Sequence, residues 1–463
     1  MACCGVGTHA PLGMRTLLED AAQRAIRYLE TVNDRPVAPI ASSVARIAEF
    51  DTLLPTGPTS AHDALALLDA IGSPGSMAMA SSRFFGFVIG GALPATVASN
   101  WLSTAWDQNA AYFNSTPVVA QIEQTALRWL VELLGLPVGT AGAFVTGATV
   151  ANQCALAAAR HAVLERAGWD VEANGLIGAP NVTIICSAET HPSVTKSLGL
   201  LGLGRARAFN VPTDAQGRMR IEQVPAIDGP AIICCQVGNV NTGSCDDVGA
   251  LCDIAARTGA WVHVDGAFGL WAAAAPSRAQ LVPDLARADS WATDAHKWLN
   301  VPYDSGIAFV RDGDALLAAM AVTAAYLPTA SPQRNPADFT PELSRRARGV
   351  DVWTAMQTLG RDGITDMIER TCRHARRFAE GLQAAGFAIL NDVVLNQVLV
   401  SFGDAERTVR VIDAIQRDGT CWCGVTKWQE HTAMRISVSS WATTEADVEL
   451  SLASIIRVAR STA

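Results

Sequence analysis

The chain carries few charges, few aromatics and no long apolar run. Charged residues make up 17% of its 463 positions and aromatics 6%. Basic residues are scattered, "SRRAR" at 344–348 being the densest group, and the formal net charge is -9. That argues against a nucleic-acid partner, which needs clustered cations to neutralise phosphates. No uninterrupted apolar segment approaches the roughly 20 residues that span a bilayer, and "MACCGVGTHAPLGMRT" lacks the basic start and apolar centre of a secretory signal. A cytoplasmic protein with no membrane partner is expected. The eleven cysteines include adjacent pairs, Cys3 with Cys4 and Cys234 with Cys235, but no C-x-x-C spacing. Neither a disulfide framework nor a metal site is therefore expected, and the cysteines read as small buried hydrophobes. No solenoid-period repeat and no low-complexity tract occur. No G-x-G-x-x-G follows the first core strand, which disfavours a nicotinamide-dependent reductase.

What the chain does have is apolar mass. Hydrophobic residues account for 49% of it, enough for one large domain and one or two smaller units. From residue 142 onward, short apolar runs alternate with helical patterns. "GAFVT" (142–146), "VTIIC" (182–186), "RAFNV" (207–211), "AIICCQV" (231–237), "WVHVD" (261–265), "SWATD" (290–294) and "GIAFV" (306–310) read as seven strands. Helical stretches such as "DVGALCDIAARTG" close on a glycine in the position that ends helices. Strands apolar on both faces and joined by helices predict an α/β fold with a mostly parallel sheet covered on both sides. "STPVVAQIEQTALRWLVELLGLP" predicts a long helix opened by Thr116 and Pro117. The expected organisation is an N-terminal helical and connective segment over 1–80, a large domain over 81–345, and a smaller α+β domain over 346–463.

Four features fall at the C-terminal ends of core strands, where open α/β sheets bind ligands. "TGATVAN" (146–152) stands between a strand and a helix, and Gly147, Ala148 and Thr149 there can form an anion cradle; the bland reading is a plain turn. Asp265 ends "WVHVD", and a carboxylate buried there needs a partner, whether a cationic ring nitrogen or merely a cap or internal ion pair. His191 in "SAETHPSV" can lie over an aromatic ring or simply furnish a loop. Lys297 in "ATDAHKWLN" lies between two apolar strands, where a desolvated amine can become a nucleophile able to form a Schiff base. Together these are the requirements of pyridoxal 5'-phosphate: an anion cradle, a stacking group, an acid for the ring nitrogen and an amine for the aldehyde.

At this point the residues resemble the group II pyridoxal-phosphate decarboxylases, the family of aromatic-L-amino-acid, glutamate and histidine decarboxylases. The likeness starts near "SSRFFGFV" (81–88), includes the His-Lys-Trp run at 296–298 and "SRRARGVDVW" (344–353), and covers most of the chain. It implies the aminotransferase-like fold type I, seven sheet strands included, and a homodimer with shared active sites. It also implies that Lys297 holds the cofactor, that His191 stacks on the ring, and that Asp265 pairs with the ring nitrogen with Ala267 on the opposite face. Ala148, Thr149 and His296 would bind the phosphate. Asn239 would stand where relatives carry a cofactor-bonding threonine, and Arg435 in "MRISVSS" matches a small-domain arginine. The substrate pocket is expected from Phe84, Trp101 and Trp106, with Phe339 from a loop at 326–343.

The implied reaction is decarboxylation of an L-amino acid to an amine. The alternatives are another outcome on the same cofactor (oxygen-dependent conversion to an aldehyde, transamination or Cα–Cβ cleavage) or a non-catalytic scaffold. Two departures bear on the choice. Where relatives have Ser-Glu-Ala-Asn this chain has Thr149, Val150, Ala151 and Asn152. The loop at 326–343 offers Phe339 where mammalian-type enzymes present a proton-donating tyrosine, and of the four tyrosines (Tyr28, Tyr112, Tyr303, Tyr326) only Tyr326 lies near that loop in sequence.

Overall fold

The computed structural model of the protein describes residues 13–322 and 333–462. At its centre is a seven-stranded sheet: β1 (Ala141–Val145), β2 (Thr183–Ser187), β3 (Phe209–Val211), β4 (Ala231–Gln236), β5 (Trp261–Asp265), β6 (Ser290–Asp294) and β7 (Gly306–Val310). Their order is β1-β7-β6-β5-β4-β2-β3. All neighbours are parallel except β7, which runs antiparallel to both β1 and β6. Three strand limits coincide with those expected and the other four differ by one or two residues. Because helices cover both faces, β4 to β7 are buried at every position, the polar residues of β5 and β6 included.

A four-stranded antiparallel sheet forms the second core, in the order β10-β11-β9-β8, with β8 (Ala388–Ile389), β9 (Gln397–Ser401), β10 (Gly424–Trp428) and β11 (His431–Ser437). The strand β10 was not foreseen. It is an edge strand whose first four residues are partly or largely exposed and whose last, Trp428, is buried, and a five-residue run containing Lys427 carries little apolar signal. One long helix, Arg348–Ala384, leads from the large sheet to the small one and changes direction at Gly360, whose φ of 61° lies in the left-handed region. The expected boundary at residue 81 does not separate the cores. Phe85 is fully buried in the small-domain core, edge-on to Phe378, and Phe84 stacks on Trp422. Before that point the helices Met14–Thr31 and Ala61–Gly75 bury almost nothing of their own, Ile71 being the one buried residue of the pair. Among the described residues no helix is long and apolar enough to cross a membrane, and the nine described cysteines are free thiols.

A buried ion cluster fixes β1 to its surroundings. Glu123, on the helix Pro117–Leu133, meets Arg345 at 3.2 Å and Arg334 at 3.4 Å. Arg345, with its side chain fully buried, also donates to the carbonyls of Ala110 and Phe144. Removing one partner of such a cluster strands a charge in the interior, which costs about 3–5 kcal/mol. Glu123→Gln should therefore lower stability by about 3 kcal/mol, measured by urea denaturation; a loss under about 1 kcal/mol would show that the arginines find other partners.

Candidate functional site

The site forms where β1, β5 and β6 end and β7 begins, and the sheet order explains why. Because β7 runs antiparallel between β1 and β6, its first residue, Gly306, lies beside the turn after β1. A Cβ on Gly306 would stand 2.4 Å from Gly147 Cα, so only glycine lets the two backbones approach this closely. The turn then opens the helix Ala148–Glu165, which has no side-chain cap of its own. Its first free amide is engaged from outside: Ala148 N donates to Asp294 Oδ1 at 2.6 Å. The amides of Thr149 and Val150, in the first turn, have no carbonyl four residues back to receive them.

Asp294 ends β6, is 2% exposed, and was not singled out from the sequence. Its other oxygen lies 3.0 Å from Lys297 Nζ, and Oδ1 stands 3.6 Å from His296 Nε2. The lysine is thus held by a carboxylate that also grips the cradle. His296 Nδ1 accepts from the Ser305 amide at 3.0 Å, so its Nε2 is the nitrogen turned toward Asp294. Burial lowers the pKa of His296 against the opposing pull of Asp294. Tyr303 stacks on the His296 ring with centroids 4.3 Å apart. That places one tyrosine, itself 54% exposed, against the residue preceding the lysine, although in sequence it is far from the loop at 326–343.

The turn bearing Lys297 is locked by Asn300. Its Nδ2 donates to the carbonyls of Trp298 at 2.8 Å and Ser439 at 3.0 Å, and its Oδ1 accepts from Trp441 N at 2.8 Å. Ser439 and Trp441 follow β11, so this side chain fastens the lysine turn to the small domain. Asn300 itself has φ 57°, a conformation that asparagine tolerates better than most residues. Gly90 passes over the same turn, where a Cβ would meet the Lys297 carbonyl at 2.2 Å.

Asp265, 4% exposed, accepts three hydrogen bonds: from Ala267 N at 3.1 Å, Asn152 Nδ2 at 3.2 Å and Ser193 Oγ at 3.3 Å. All three donors are neutral, and among the described residues no lysine or arginine pairs with it. His191 caps the helix Pro192–Leu200 by accepting from Ser193 N at 3.2 Å through Nδ1, which leaves Nε2 to carry the hydrogen in the neutral ring. Burial lowers its pKa, Asp265 and Asp294 raise it, and Lys297 and Arg435 lower it. Ala267 joins the strand ends, its carbonyl accepting from Asp294 N at 2.9 Å.

The remaining expected residues fare unevenly. Arg435, on β11, reaches back to Asn241 Oδ1 at 3.3 Å and has no acidic partner among the described ion pairs; burial pushes its pKa down to about 10. Asn239 builds a turn: its Oδ1 accepts from the amides of Asn241 and Thr242, and its Nδ2 is buried with no partner among the described residues. Phe84 is core, packed on Trp422. Trp101 lines a groove with Tyr28 and Leu68 of the N-terminal helices, and Trp106 is 42% exposed at the end of its helix. Phe339 lies beneath the Arg334 guanidinium, 4.1 Å from it, in a 610 Å³ groove with Ala141 and Gly142. That is the opposite end of β1 from the cradle, so within its own subunit Phe339 is remote from Lys297. Tyr326 lies outside the described residues.

These residues fit pyridoxal phosphate on three observations. A buried carboxylate supplied only with neutral donors suits a cationic ring nitrogen; free amides at a glycine-flanked helix start suit phosphate; and an amine is tied to that helix start through Asp294. The pyridoxal-dependent decarboxylase conserved domain matches residues 51–403 of the chain. The chain is 27% identical over 401 residues to tryptophan decarboxylase 1 of Oryza sativa subsp. japonica, covering 81% of this chain and 77% of that one. It is 28% identical over 305 residues to the aromatic-L-amino-acid decarboxylase of Bacillus atrophaeus, covering 62% of this chain and 60% of that one. A crystal structure of Oryza sativa TDC with PLP and tryptamine superposes with a TM-score of 0.89 at 24% identity, over 98% of this chain and 99% of that chain.

The close approach at Gly306 makes the cradle sensitive to one methyl group. Gly306→Ala should push the turn at Gly147 outward and weaken pyridoxal phosphate binding by about tenfold or more, since overpacking of this kind costs about 1–3 kcal/mol. Equilibrium dialysis measures the affinity and circular dichroism confirms the fold; unchanged affinity would show that the phosphate is held elsewhere.

Proposed function

The chain belongs to the pyridoxal-dependent decarboxylase family, and from that premise we propose that it converts an L-amino acid to the corresponding amine and carbon dioxide, with Lys297 holding the cofactor covalently. Pyridoxal 5'-phosphate, when bound, supplies an aldehyde and a ring that withdraws electrons from the carbon losing carbon dioxide. The observation that carries the reading is Asp265, a buried carboxylate whose only described partners are neutral. A carboxylate in that state stabilises a cation placed against it, which keeps the ring nitrogen protonated.

The other residues follow from position. Thr149, with the first-turn amides and His296, would hold the phosphate, and His191 would lie over the ring. Asp294 balances the Lys297 ammonium at 3.0 Å and offers that amine a proton acceptor. Arg435, cationic and lacking an acidic partner, would receive an acidic group of the substrate. The proton that replaces carbon dioxide must come from a group within reach of the same carbon. His191, beside Asp265 through Ser193, can supply it, so the reaction does not depend on a phenol from the 326–343 loop. Phe339→Tyr should accordingly leave the product unchanged. The cytoplasmic homodimer belongs to the same proposal: the N-terminal helices expose Leu18, Ile26, Leu29, Leu67 and Leu68 and bury little within the chain.

Two measurements test the reading. Borohydride treatment of the purified protein, followed by peptide mass spectrometry, should place the reduced cofactor on the peptide containing Lys297; an adduct on Lys196 would refute the assignment. Asp265→Ala should bind cofactor more weakly but retain some, and lose roughly two orders of magnitude or more in turnover, because the charge opposite the ring is gone while the phosphate contacts remain. Incubation with the common L-amino acids, reading amine, carbon dioxide, ammonia and peroxide together, identifies the substrate. Stoichiometric peroxide with an aldehyde product would replace plain decarboxylation by the oxidative reaction.

A further inference from the structure

Behind Asp265 runs a chain of hydrogen bonds that the reaction as described does not use. His263 stands two residues before Asp265 on β5, so both project toward the helix Ala148–Glu165. His263 is 0% exposed. Its Nε2 lies 2.8 Å from Asn152 Oδ1, and its Nδ1 lies 2.9 Å from Oγ of Ser290, its register partner on β6. Ser290 Oγ also accepts from Trp261 Nε1 at 2.8 Å.

The directions of these bonds are fixed by which groups can only donate. An indole N–H has no acceptor function, so Ser290 Oγ accepts from Trp261 and has one hydrogen left, for which His263 Nδ1 is the described acceptor. The neutral imidazole then carries its hydrogen on Nε2 and gives it to Asn152 Oδ1. Asn152 is thereby oriented with its NH2 toward Asp265 Oδ2, 3.2 Å away, and Ser193 Oγ, also 3.2 Å away. The reversed arrangement, with hydrogen on Nδ1 and the Asn152 amide flipped, would set the amide oxygen against the Asp265 carboxylate. Two acceptors in contact at a buried site repel, so the forward arrangement wins.

We propose that His263 is a positioning residue for Asp265: as the neutral Nε2–H tautomer it locks the Asn152 amide, which in turn holds the carboxylate aimed at the ring nitrogen of the cofactor. The proposal rests on the pyridoxal phosphate reading above. Burial pushes the pKa of His263 down to about 4, against a smaller opposing effect of Asp265, so the ring stays neutral at ordinary pH. The group beside it on β4 is Cys234, whose thiol is held well above its usual pKa by a hydrogen bond with Cys186 and by burial. It therefore adds no competing charge.

Nitrogen-15 spectra of the protein labelled at its histidine rings, with His263 assigned by its loss in His263→Gln, read the tautomer directly, with and without cofactor. The expected result is a neutral Nε2–H ring that does not titrate between about pH 8 and pH 5. A protonated ring at pH 7, or hydrogen on Nδ1, overturns the proposal. His263→Phe and Asn152→Leu should weaken cofactor affinity by about tenfold and lower kcat by a similar factor while changing substrate KM less than about twofold, because Asp265 loses a donor but the substrate contacts remain. Nitrogen-15 in the cofactor ring should report loss of ring protonation in both variants. His263→Gln, which can still donate to Asn152, should recover most of the loss. If His263→Phe merely lowers the melting temperature while affinity, ring protonation and kcat match the parent, the residue is structural and the proposal falls. If no form of the protein binds pyridoxal phosphate, the reading of the site fails together with this proposal, a result distinct from binding that is indifferent to His263.

Discussion

A lysine ammonium with four-fifths of its side chain buried needs a counter-charge where it stands, and much of the site follows from how that need is met. Asp294 supplies the charge at 3.0 Å and with its other oxygen takes the Ala148 amide at 2.6 Å. One carboxylate thus ties the turn after β6 to the turn after β1, two strands that are not neighbours because β7 lies between them. The bridge is possible only because β7 begins with a glycine. Backbone packing at Gly306 and charge pairing at Asp294 are therefore one constraint, and each would lose its geometry without the other.

The same lysine turn is held from the other direction by the small domain. Asn300 bonds to Ser439 and Trp441, and Gly90 lies against the Lys297 carbonyl. The segment that carries Gly90 begins at Phe84 and Phe85, which are packed with small-domain groups. Lys297 accordingly sits on a seam between two cores, and Arg435 reaches Asn241 across it. An active site built on such a seam can gather groups from both domains onto one small region without a long loop having to carry them.

How much of this was legible in the sequence depended on the range of the interaction concerned. The strands of the large sheet were readable because strands buried on both faces are mostly apolar, and their ends marked Asp265 and the Gly147 turn. Lys297 was conspicuous as a charge between two such strands. Asp294 sat in the same quoted stretch, yet its partner Ala148 is 146 residues away and no local pattern announces that contact. Tyr303 was passed over because sequence distance from the loop at 326–343 was the criterion, whereas a short turn returns it onto His296. The aromatics are less legible. The resemblance suggests Phe84, Trp101, Trp106 and Phe339 as pocket walls, but within one subunit these rings pack in a core, in a groove or at an exposed helix end, and composition does not separate those uses.

Polar residues inside an apolar strand gave the opposite lesson. In "WVHVD" the histidine interrupts a run that is otherwise a buried strand, and only the carboxylate at its end drew notice. The strand period of two puts both on one face, so whatever satisfies His263 must lie next to whatever satisfies Asp265. Asn152, on the first turns of the helix covering that face, satisfies both. Likewise Ser290 meets His263 because β6 pairs with β5 in the register that sets them opposite. A fully buried imidazole left without partners would cost about 1–3 kcal/mol for each unsatisfied nitrogen. The fold avoids that cost with groups already committed to the site, so the polar interior of β5 and the geometry of the carboxylate at its end are set by the same hydrogen bonds.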